Sequence, residues 1–333
     1  MWKSTLSLLL IFVLSGCQKS PSQDASQRSA ATLQKITVAY TYQPQSTLAH
    51  VAVAKGYFAE EGLEVQSLMH TFGKASLQSL LDHKADFAAV AETPFMFNVL
   101  KGEKIYLIAN IEASGKNNAI VARKDAGISV AGDLKGKRIG FTPGTTSDFF
   151  LDSMLTVIGL TRQSIQPVPL KPEEMQAAIV EKRVDAVCTW NYPLTQIKRQ
   201  LGPNGVLFYD PIIYTETFNF AAQQDFVQKN PETVRRFLRA LIKAENFVAQ
   251  HPDEAQAIMS AATKTDLDLI REVWNAFNYR VVLDKKLLIT LEDETRWAMK
   301  NKLTDQTVMP EYQNYIHLDS LRAVKPDAIS GGR

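Results

Sequence analysis

The chain has 333 residues, which is enough for one large or two medium-sized domains. Hydrophobic residues make up 45% of the sequence, which is too large a share for an intrinsically disordered protein. The 37 basic and 35 acidic residues give a net charge of +2, so the composition does not indicate nucleic-acid binding or attachment to an acidic membrane surface.

The first 16 residues have the composition of a signal peptide. Lys3 precedes an apolar run over 6–14, which is too short to span a membrane. Small residues then lead to Cys17, as at the cleavage sites of bacterial lipoproteins, so we predict cleavage before Cys17 and lipidation of that cysteine. An ordinary secretory signal that ends by chance near a cysteine is the alternative. Residues 17–34 are mainly polar and are predicted to form a flexible tether.

Two stretches alternate short apolar runs with helical segments, which is the pattern of α/β proteins. In the first stretch, strands are predicted over 36–40, 63–69 and 87–90, and helices over 48–61 and 76–83. In the second, strands are predicted over 138–141, 167–170 and 186–189, and helices over 148–158 and 173–181. The recurrence of this order after about 100 residues predicts two β-α-β-α-β units of similar build.

The chain after residue 212 is predicted to be mainly helical, with one further strand over 218–222. Asn230 and Pro231 form a typical helix start, because asparagine caps the first turn and proline fits its first position. Further helices are predicted over 253–262, 266–277 and 290–301.

Three hydroxyl side chains, Thr145, Thr146 and Ser147, stand between a predicted strand and a predicted helix. The carboxyl ends of the strands in two such units meet at one crevice, and the first turn of a helix attracts anionic or polar groups. Lys74 stands at the equivalent turn of the first unit. These residues are therefore candidates for two sides of one ligand site, unless a hydroxyl serves only to cap the helix.

Aromatic and amide side chains follow other strands at the same predicted crevice. Trp190 and Asn191 follow the last strand of the second unit, and Tyr42 and Gln43 follow the first strand of the chain. An indole or phenol ring there can stack on a flat ligand, whereas packing in the core of its unit is the alternative for Trp190. Ser114 opens a polar loop before the second unit and is a further candidate.

No sequence pattern indicates catalysis. The chain lacks the G-x-S-x-G, H-E-x-x-H, C-x-x-C and phosphate-loop motifs, and its five histidines have no metal-ligand spacing. Besides Cys17 there is one other cysteine, Cys188, which lies in an apolar run and is predicted to be a buried core thiol. The sequence therefore predicts no catalytic residue, no metal site and no cofactor.

The order and spacing of five segments resemble the substrate-binding proteins of ABC importers for nitrate, sulfonates, taurine and thiamine-precursor pyrimidines. These segments lie at 49–65, 73–90, 133–151, 184–193 and 229–244, within a resemblance that extends over residues 35–326. It implies an α/β, two-lobed periplasmic-binding-protein-like fold, in which each lobe is a sheet flanked by helices and two hinge strands join the lobes. Lobe 1 would comprise 35–121 and 216–333, lobe 2 would comprise 122–215, and the hinges would lie near 120–122 and 217–219.

The same resemblance implies transport without catalysis. The protein would be a monomer that binds a small molecule between its lobes and delivers it to a membrane permease with a separate ATPase subunit. Lipid on Cys17 would hold it at the membrane, on the periplasmic or extracellular side. The alternatives are an enzyme on the same fold, of the type that synthesises the thiamine pyrimidine, and a sensory or structural lipoprotein.

Resemblance and turn chemistry together give a set of candidate ligand-binding residues. They are Tyr42, Gln43, Lys74, Glu92, Thr93, Ser114, Thr145, Thr146, Ser147, Trp190, Asn191 and Glu216. The carboxylates of Glu92 and Glu216 do not suit an anionic ligand, because like charges repel strongly in a low-dielectric crevice unless Lys74 pairs with them or they are protonated. A nitrate- or sulfonate-like anion, a pyrimidine or other flat heterocycle, and an amine therefore all stay open as ligands.

Overall fold

The computed structural model describes residues 1–2 and 33–330, and residues 33–330 form a body with two five-stranded sheets. Its strands are β1 (Gln34–Thr41), β2 (Leu63–His70), β3 (Phe87–Ala91), β4 (Ile105–Ser114), β5 (Asn118–Arg123), β6 (Arg138–Phe141), β7 (Gln166–Pro169), β8 (Ala186–Trp190), β9 (Gly205–Phe208), β10 (Glu216–Gln223), β11 (Leu283–Asp284) and β12 (Ile329–Ser330). Its α-helices are α1 (Thr47–Ala54), α2 (Tyr57–Glu60), α3 (Gly73–Leu81), α4 (Glu92–Leu100), α5 (Thr146–Val157), α6 (Met175–Val180), α7 (Pro193–Leu201), α8 (Gln224–Lys229), α9 (Pro231–Gln250), α10 (Pro252–Thr263), α11 (Leu267–Trp274), α12 (Lys285–Lys300) and α13 (Leu318–Val324).

The two large sheets share one plan. The first has the strand order β2-β1-β3-β10-β4, and the second has the order β7-β6-β8-β5-β9. In each sheet, three parallel strands are followed by a strand that runs antiparallel to both of its neighbours, β10 in the first sheet and β5 in the second. We call the first sheet with its helices lobe 1 and the second sheet with its helices lobe 2. The prediction of two similarly built α/β units is confirmed.

The chain passes between the sheets twice. It leaves lobe 1 through 115–117, between β4 and β5, and returns through 209–215, between β9 and β10. The predicted hinge at 120–122 lies inside β5, which pairs with β8 and β9, so the first boundary between the lobes comes earlier than the predicted one. The predicted hinge at 217–219 lies inside β10, directly after the second passage.

Most predicted strands and helices are present, with shifted bounds. The helix predicted over 48–61 is two helices, α1 and α2, because Gly56 adopts a left-handed conformation (φ +72°) that interrupts the helix. The sequence pattern does not indicate α4 or β4, because nearly every residue of both is buried and neither alternates between buried and exposed positions. The sequence also does not predict some further elements, which are the helices α7, α8 and α13 and the strands β9, β11 and β12.

Each lobe has an apolar core of its own. In lobe 1, the rings of Phe87 and Phe237 stack with 4.0 Å between their centroids, and Phe220 meets Phe237 edge to face. In lobe 2, Cys188 is fully buried, its thiol donates to the carbonyl of Ser147 at 3.1 Å, and burial raises its pKa. The predicted core role of Cys188 is confirmed. In the described part of the chain, no helix has the length and apolarity needed to cross a membrane.

Candidate ligand-binding cleft

A cleft between the lobes brings together residues of both sheets. Its lining residues are Thr41, Gln43, Gln45, Phe72, Gly73, Lys74, Ala91, Pro94, Thr145, Thr146, Trp190, Glu216 and Phe218. They surround about 360 Å³ of space, a volume that includes open solvent at the mouth of the cleft. Many of them stand at the end of a strand or the start of a helix, where α/β sheets bind their ligands.

The first turns of helices α3 and α5 meet at this cleft. Gly73 and Lys74 line it from lobe 1, and Thr145 and Thr146 line it from lobe 2. The ammonium group of Lys74 donates to the carbonyl of Pro143 at 3.1 Å and so joins the two lobes directly. Burial lowers the pKa of Lys74, because a charged ammonium loses hydration there. The structure therefore places the two predicted turns at one crevice.

The hydroxyls at the start of α5 hold their own turn and do not cap the helix. Thr145 Oγ1 donates to the carbonyl of Thr142 at 2.7 Å, and the N–H of Thr142 donates to Ser147 Oγ at 3.1 Å. Thr146 Oγ1 donates to Oδ1 of Asn118 at 3.0 Å. The N–H groups of the first turn of α5 are left without a side-chain cap, so the interpretation of these hydroxyls as caps is wrong.

Glu216 lines the cleft where β10 begins, and neutral donors surround its carboxylate. Nε2 of Gln45 donates to it at 3.3 Å, Nδ2 of Asn117 donates at 2.9 Å, and the amide of Asn118 donates to its second oxygen. Burial raises the pKa of Glu216, because these neutral amides only partly replace the hydration of the charged form. The carboxylate of Glu216 therefore accepts hydrogen bonds from neutral amides, but no lysine or arginine among the described residues pairs with it.

Trp190 and Gln43 lie where the second and first units meet. Trp190 is 5% exposed and lines the cleft, so its ring is both packed and available on one side. Gln43 also lines the cleft, where its Oε1 accepts from the N–H of Tyr192 at 3.0 Å and its Nε2 donates to the carbonyl of Thr71 at 3.1 Å. Its amide therefore fixes a loop of lobe 2 against lobe 1.

The remaining candidates do not line the cleft. They are Tyr42, Glu92, Thr93, Ser114, Ser147 and Asn191. Thr93 Oγ1 donates to Glu294 Oε1 at 2.5 Å, and Ser114 Oγ donates to the carbonyl of Ala276 at 2.5 Å. Both hydroxyls therefore make contacts within lobe 1. A position after a strand is therefore not sufficient to make a residue line the cleft. The direction of the side chain decides, and the sequence does not give that direction.

Glu92 connects the lobes from a fully buried position at the start of α4. Its carboxylate accepts from the hydroxyl of Tyr214, a residue of the lobe 2 core, and from the N–H and hydroxyl of Thr217 at 2.8 and 2.9 Å. Burial and the nearby Glu216 raise its pKa to about 8. Glu92 thus holds the second passage between the lobes against α4.

Some lining and supporting residues were missed by the sequence reasoning. They are Thr41, Gln45, Phe72, Ala91, Pro94, Asn117, Asn118 and Phe218. Asn117 and Asn118 belong to the polar run of sequence that follows Ser114, and that run was the available signal. Phe218 follows Glu216 by two positions in β10, so the period of two along a strand would have placed both side chains on one face.

The lobes also touch outside the cleft. Nε1 of Trp297 in α12 donates to Asp152 Oδ2 in α5 at 2.8 Å, and the ring of Trp297 meets that of Phe149 edge to face at 5.3 Å. Arg199 in α7 pairs with Glu272 in α11 at 2.5 Å. These contacts describe a closed arrangement of the two lobes.

Known proteins share both the sequence and the fold. The sequence model of the NMT1/THI5-like family matches residues 43–255, which is more than half of the chain. A putative binding protein of Brucella abortus is 27% identical over 228 residues, which covers 66% of this chain and 69% of that protein. A formylaminopyrimidine-binding protein of Halalkalibacterium halodurans is 24% identical over 275 residues, which covers 80% of this chain and 81% of that protein.

The structural comparison supports the same conclusion. The periplasmic aliphatic sulphonate binding protein of Escherichia coli superposes with a TM-score of 0.75 at 17% identity, covering 86% of this chain and 98% of that chain. This likeness confirms the predicted α/β, two-lobed periplasmic-binding-protein fold. With the family match over residues 43–255, the chain belongs to the NMT1/THI5-like family.

Proposed function

We propose that this protein is the solute-binding component of an ABC importer. It binds a small polar molecule between its lobes and delivers it to a membrane permease that works with a separate ATPase subunit. Relatives that are named as binding proteins support this role. The cleft carries the proposal, because polar side chains of both lobes line one partly enclosed space, which closure of the lobes brings together.

We assign the ligand contacts to the candidates that line the cleft. Lys74 and the first turns of α3 and α5 would hold acceptor groups of the ligand, since N–H groups there have no intrahelical acceptor. The ring of Trp190 would cover a flat part of the ligand. Glu216 and Gln43 would accept from or donate to its polar edge.

Two ligand classes use this lining differently. A sulfonate- or nitrate-like anion would rely on Lys74 and the helix starts. A pyrimidine-like heterocycle would also hydrogen-bond to Glu216 and stack on Trp190. The names of the relatives include both a sulphonate and a formylaminopyrimidine as ligands of those proteins.

We further propose how the protein is placed and how it moves. Cys17 lies outside the described residues; with lipid attached, it would hold the protein at the membrane on the periplasmic or extracellular side, above a tether of residues 17–34. The passages at 115–117 and 209–215 would act as the hinges between the lobes, and the protein would work as a monomer. Loss of the lipid label of cells after Cys17→Ala tests the anchor, and a label that persists would contradict it.

We propose no catalytic role for the cleft. Its lining residues include neither a histidine nor a cysteine, so the side chains that most often act as base and nucleophile do not face the ligand. In this view the polar groups of the cleft orient and desolvate the ligand and change no bond in it.

Thermal unfolding in the presence of candidate ligands tests the proposal. The sample is the soluble mature chain, residues 17–333 with Cys17→Ser, and the panel holds nitrate, taurine, alkyl and aryl sulfonates, aminopyrimidines, amino acids and polyamines. A ligand at a hundredfold excess over its dissociation constant adds about 2.7 kcal/mol, which raises the unfolding temperature of a chain of this length by about 4 °C. We expect one chemical class to raise the unfolding temperature in this way.

Trp190→Ala and Val157→Ala serve as the matched variants for this test. Trp190→Ala removes a ring of the cleft, so it should abolish most of the thermal shift, whereas Val157 is exposed on α5 and its replacement should preserve the shift. If no compound shifts the unfolding temperature, or if Trp190→Ala responds as strongly as the wild type, the proposed function is contradicted.

A further inference from the structure

Glutamates of lobe 1 are buried where the two lobes join. Glu92, Glu112 and Glu294 are fully buried, and Glu216 is 1% exposed. Within residues 33–330, none of these carboxylates forms an ion pair with a lysine or arginine. Burial, followed by the charges of neighbouring glutamates, raises the pKa of Glu92, Glu112 and Glu294. Buried charges in proteins are normally paired, so the missing partner needs an explanation.

Glu112 is the most exceptional of these side chains. Both of its carboxylate oxygens are buried without a hydrogen-bond partner among the described residues. Glu112 lies directly opposite Phe218 in the antiparallel pair of β4 and β10, and directly opposed residues of such a pair project to the same face of the sheet. Phe218 and Glu216 line the cleft, so the side chain of Glu112 projects to the cleft side of lobe 1.

Gln45 adds a second unused acceptor. It is 3% exposed and lines the cleft, and its Nε2 donates to Glu216, which fixes the orientation of the amide. The carbonyl oxygen of the same amide has no partner among the described residues. Buried acceptors of this kind are rare in proteins unless water or a ligand satisfies them.

We propose that the cleft selects a small ligand that presents a positively charged, N–H-rich group, such as an amidinium or a protonated amino-heterocycle, to Glu216 and Gln45, on the side of the sheet to which Glu112 also projects. This inference rests on the proposed solute-binding function and names the ligand class. The N–H groups donate to the free oxygen of Gln45 and to the carboxylate of Glu216, and the positive charge of the ligand lies close to this group of buried glutamates. Lys74 and the first turns of α3 and α5 remain for an acceptor group elsewhere on the same ligand.

A ligand without N–H groups does not fit these observations. A nitrate ion or an unsubstituted alkanesulfonate would satisfy Lys74 and the helix starts, but it would add negative charge beside Glu216 and leave Gln45 without a donor. A metal ion does not fit either, because no group of three histidine, cysteine, aspartate or glutamate residues in the described part of the chain could hold one.

Three nearly isosteric probes test the sign of the charge: benzamidinium, benzamide and benzoate. We expect benzamidinium to raise the unfolding temperature of the soluble mature chain at pH 7.5, benzamide to raise it less, and benzoate to have no effect. Glu216→Gln keeps the shape of the side chain and removes its charge, so it should raise the dissociation constant for benzamidinium by about tenfold or more.

Glu294→Gln is the matched control for this variant. Glu294 is equally buried and the substitution removes the same charge, but its carboxylate does not line the cleft and accepts from Thr93. The affinity of the Glu294→Gln variant for benzamidinium should fall far less than the affinity of the Glu216→Gln variant. Gln45→Leu, which removes the free acceptor, provides a second test if Glu216→Gln does not fold.

The outcomes separate this inference from the proposed function. Tighter binding of benzoate, or a Glu216→Gln variant that binds benzamidinium as well as the wild type does, overturns the cationic ligand and leaves the receptor role intact. If none of these probes and none of the broader panel shifts the unfolding temperature, both the inference and the proposed function are contradicted.

Discussion

The acidic groups in the interior of lobe 2 and the glutamates of lobe 1 at the junction between the lobes differ in whether they have a basic partner. In lobe 2, Arg162 pairs with both Asp148 and Asp152 at 2.7 Å, and Arg138 pairs with Asp185 at 2.8 Å. Burial raises the pKa of Asp185, but its hydrogen bonds to Arg138 outweigh that effect and lower it overall. In lobe 1, the glutamates at the junction with lobe 2 have no such guanidinium among the described residues.

This difference distinguishes acidic groups that are part of the scaffold of lobe 2 from acidic groups of lobe 1 that could pair with a charge on the ligand. A buried acid with its own arginine has a counter-charge within the same lobe, as Asp148 has in Arg162 and Asp185 has in Arg138. Glu216 and Glu112 have no such counter-charge among the described residues, and both side chains project to the side of lobe 1 that the cleft occupies. The contrast indicates that lobe 1 is the lobe whose side chains select the ligand by its charge.

Removal of Arg162 should have the largest effect on stability. Arg162→Met leaves Asp148 and Asp152 buried without a counter-charge, and the loss of one partner of a buried pair typically lowers the free energy of unfolding by about 3–5 kcal/mol. Urea unfolding measures this change. Arg271→Met, which breaks an exposed pair with Asp268, is the control and should change stability little. Equal small effects of both variants would remove the distinction between the lobes.

Glu92 should make the wild type less stable as the pH rises. Its folded pKa of about 8 exceeds its ordinary value of 4.5, so the folded state holds a proton that the unfolded state releases between pH 4.5 and 8. The free energy of unfolding should therefore fall across this window, by up to about 1.4 kcal/mol per pH unit. Urea unfolding of Glu92→Gln should show a smaller fall across this window than the wild type does, because burial also raises the pKa of Glu216 and that contribution remains. Parallel curves for variant and wild type would show that Glu92 is already ionised in the folded protein.

His50 should act in the opposite direction over a narrower window. Burial lowers its pKa from 6.5 to about 4, and its Nε2 lies 2.8 Å from the carbonyl of Thr41. Between pH 6.5 and about 4, the unfolded state binds a proton at His50 and the folded state does not. The stability that His50 contributes is therefore complete above pH 6.5 and is lost as the pH falls toward 4. The ring signals of His50 in an NMR titration should stay those of the neutral form down to pH 5; a midpoint near 6.5 would contradict its burial.

The exposed pair of Arg199 and Glu272 should matter least. It joins the two lobes at 2.5 Å, but both side chains are about half exposed, so water and salt screen it. Arg199→Gln should weaken ligand binding by less than about fivefold in calorimetric titrations. A loss as large as that caused by Trp190→Ala would mean that closure depends on this surface contact more than on the cleft.

The fold could be predicted from the sequence more completely than the site. The alternation of apolar runs marked most strands, and the turns at Lys74 and Thr145 marked two sides of the cleft because helix starts are local features. Gln45 was missed because its role depends on Glu216, a residue 171 positions away. Glu92 stands at a helix start after a strand, as Lys74 and Thr146 do, yet its carboxylate accepts hydrogen bonds from Tyr214 and Thr217 and does not line the cleft.

Calorimetric titration in two buffers of different ionisation enthalpy tests most directly whether the cleft selects a cationic ligand. The titrant is benzamidinium, which is already fully protonated at pH 7 and so exchanges no proton of its own, and the two heats together give the number of protons exchanged on binding. Burial raises the pKa of Glu216 and Glu92, so a cation that favours their charged forms should release protons at pH 7, and Glu216→Gln should release fewer. Net uptake of protons by the wild type would mean that the ligand brings negative charge to these glutamates, and would contradict a cationic ligand.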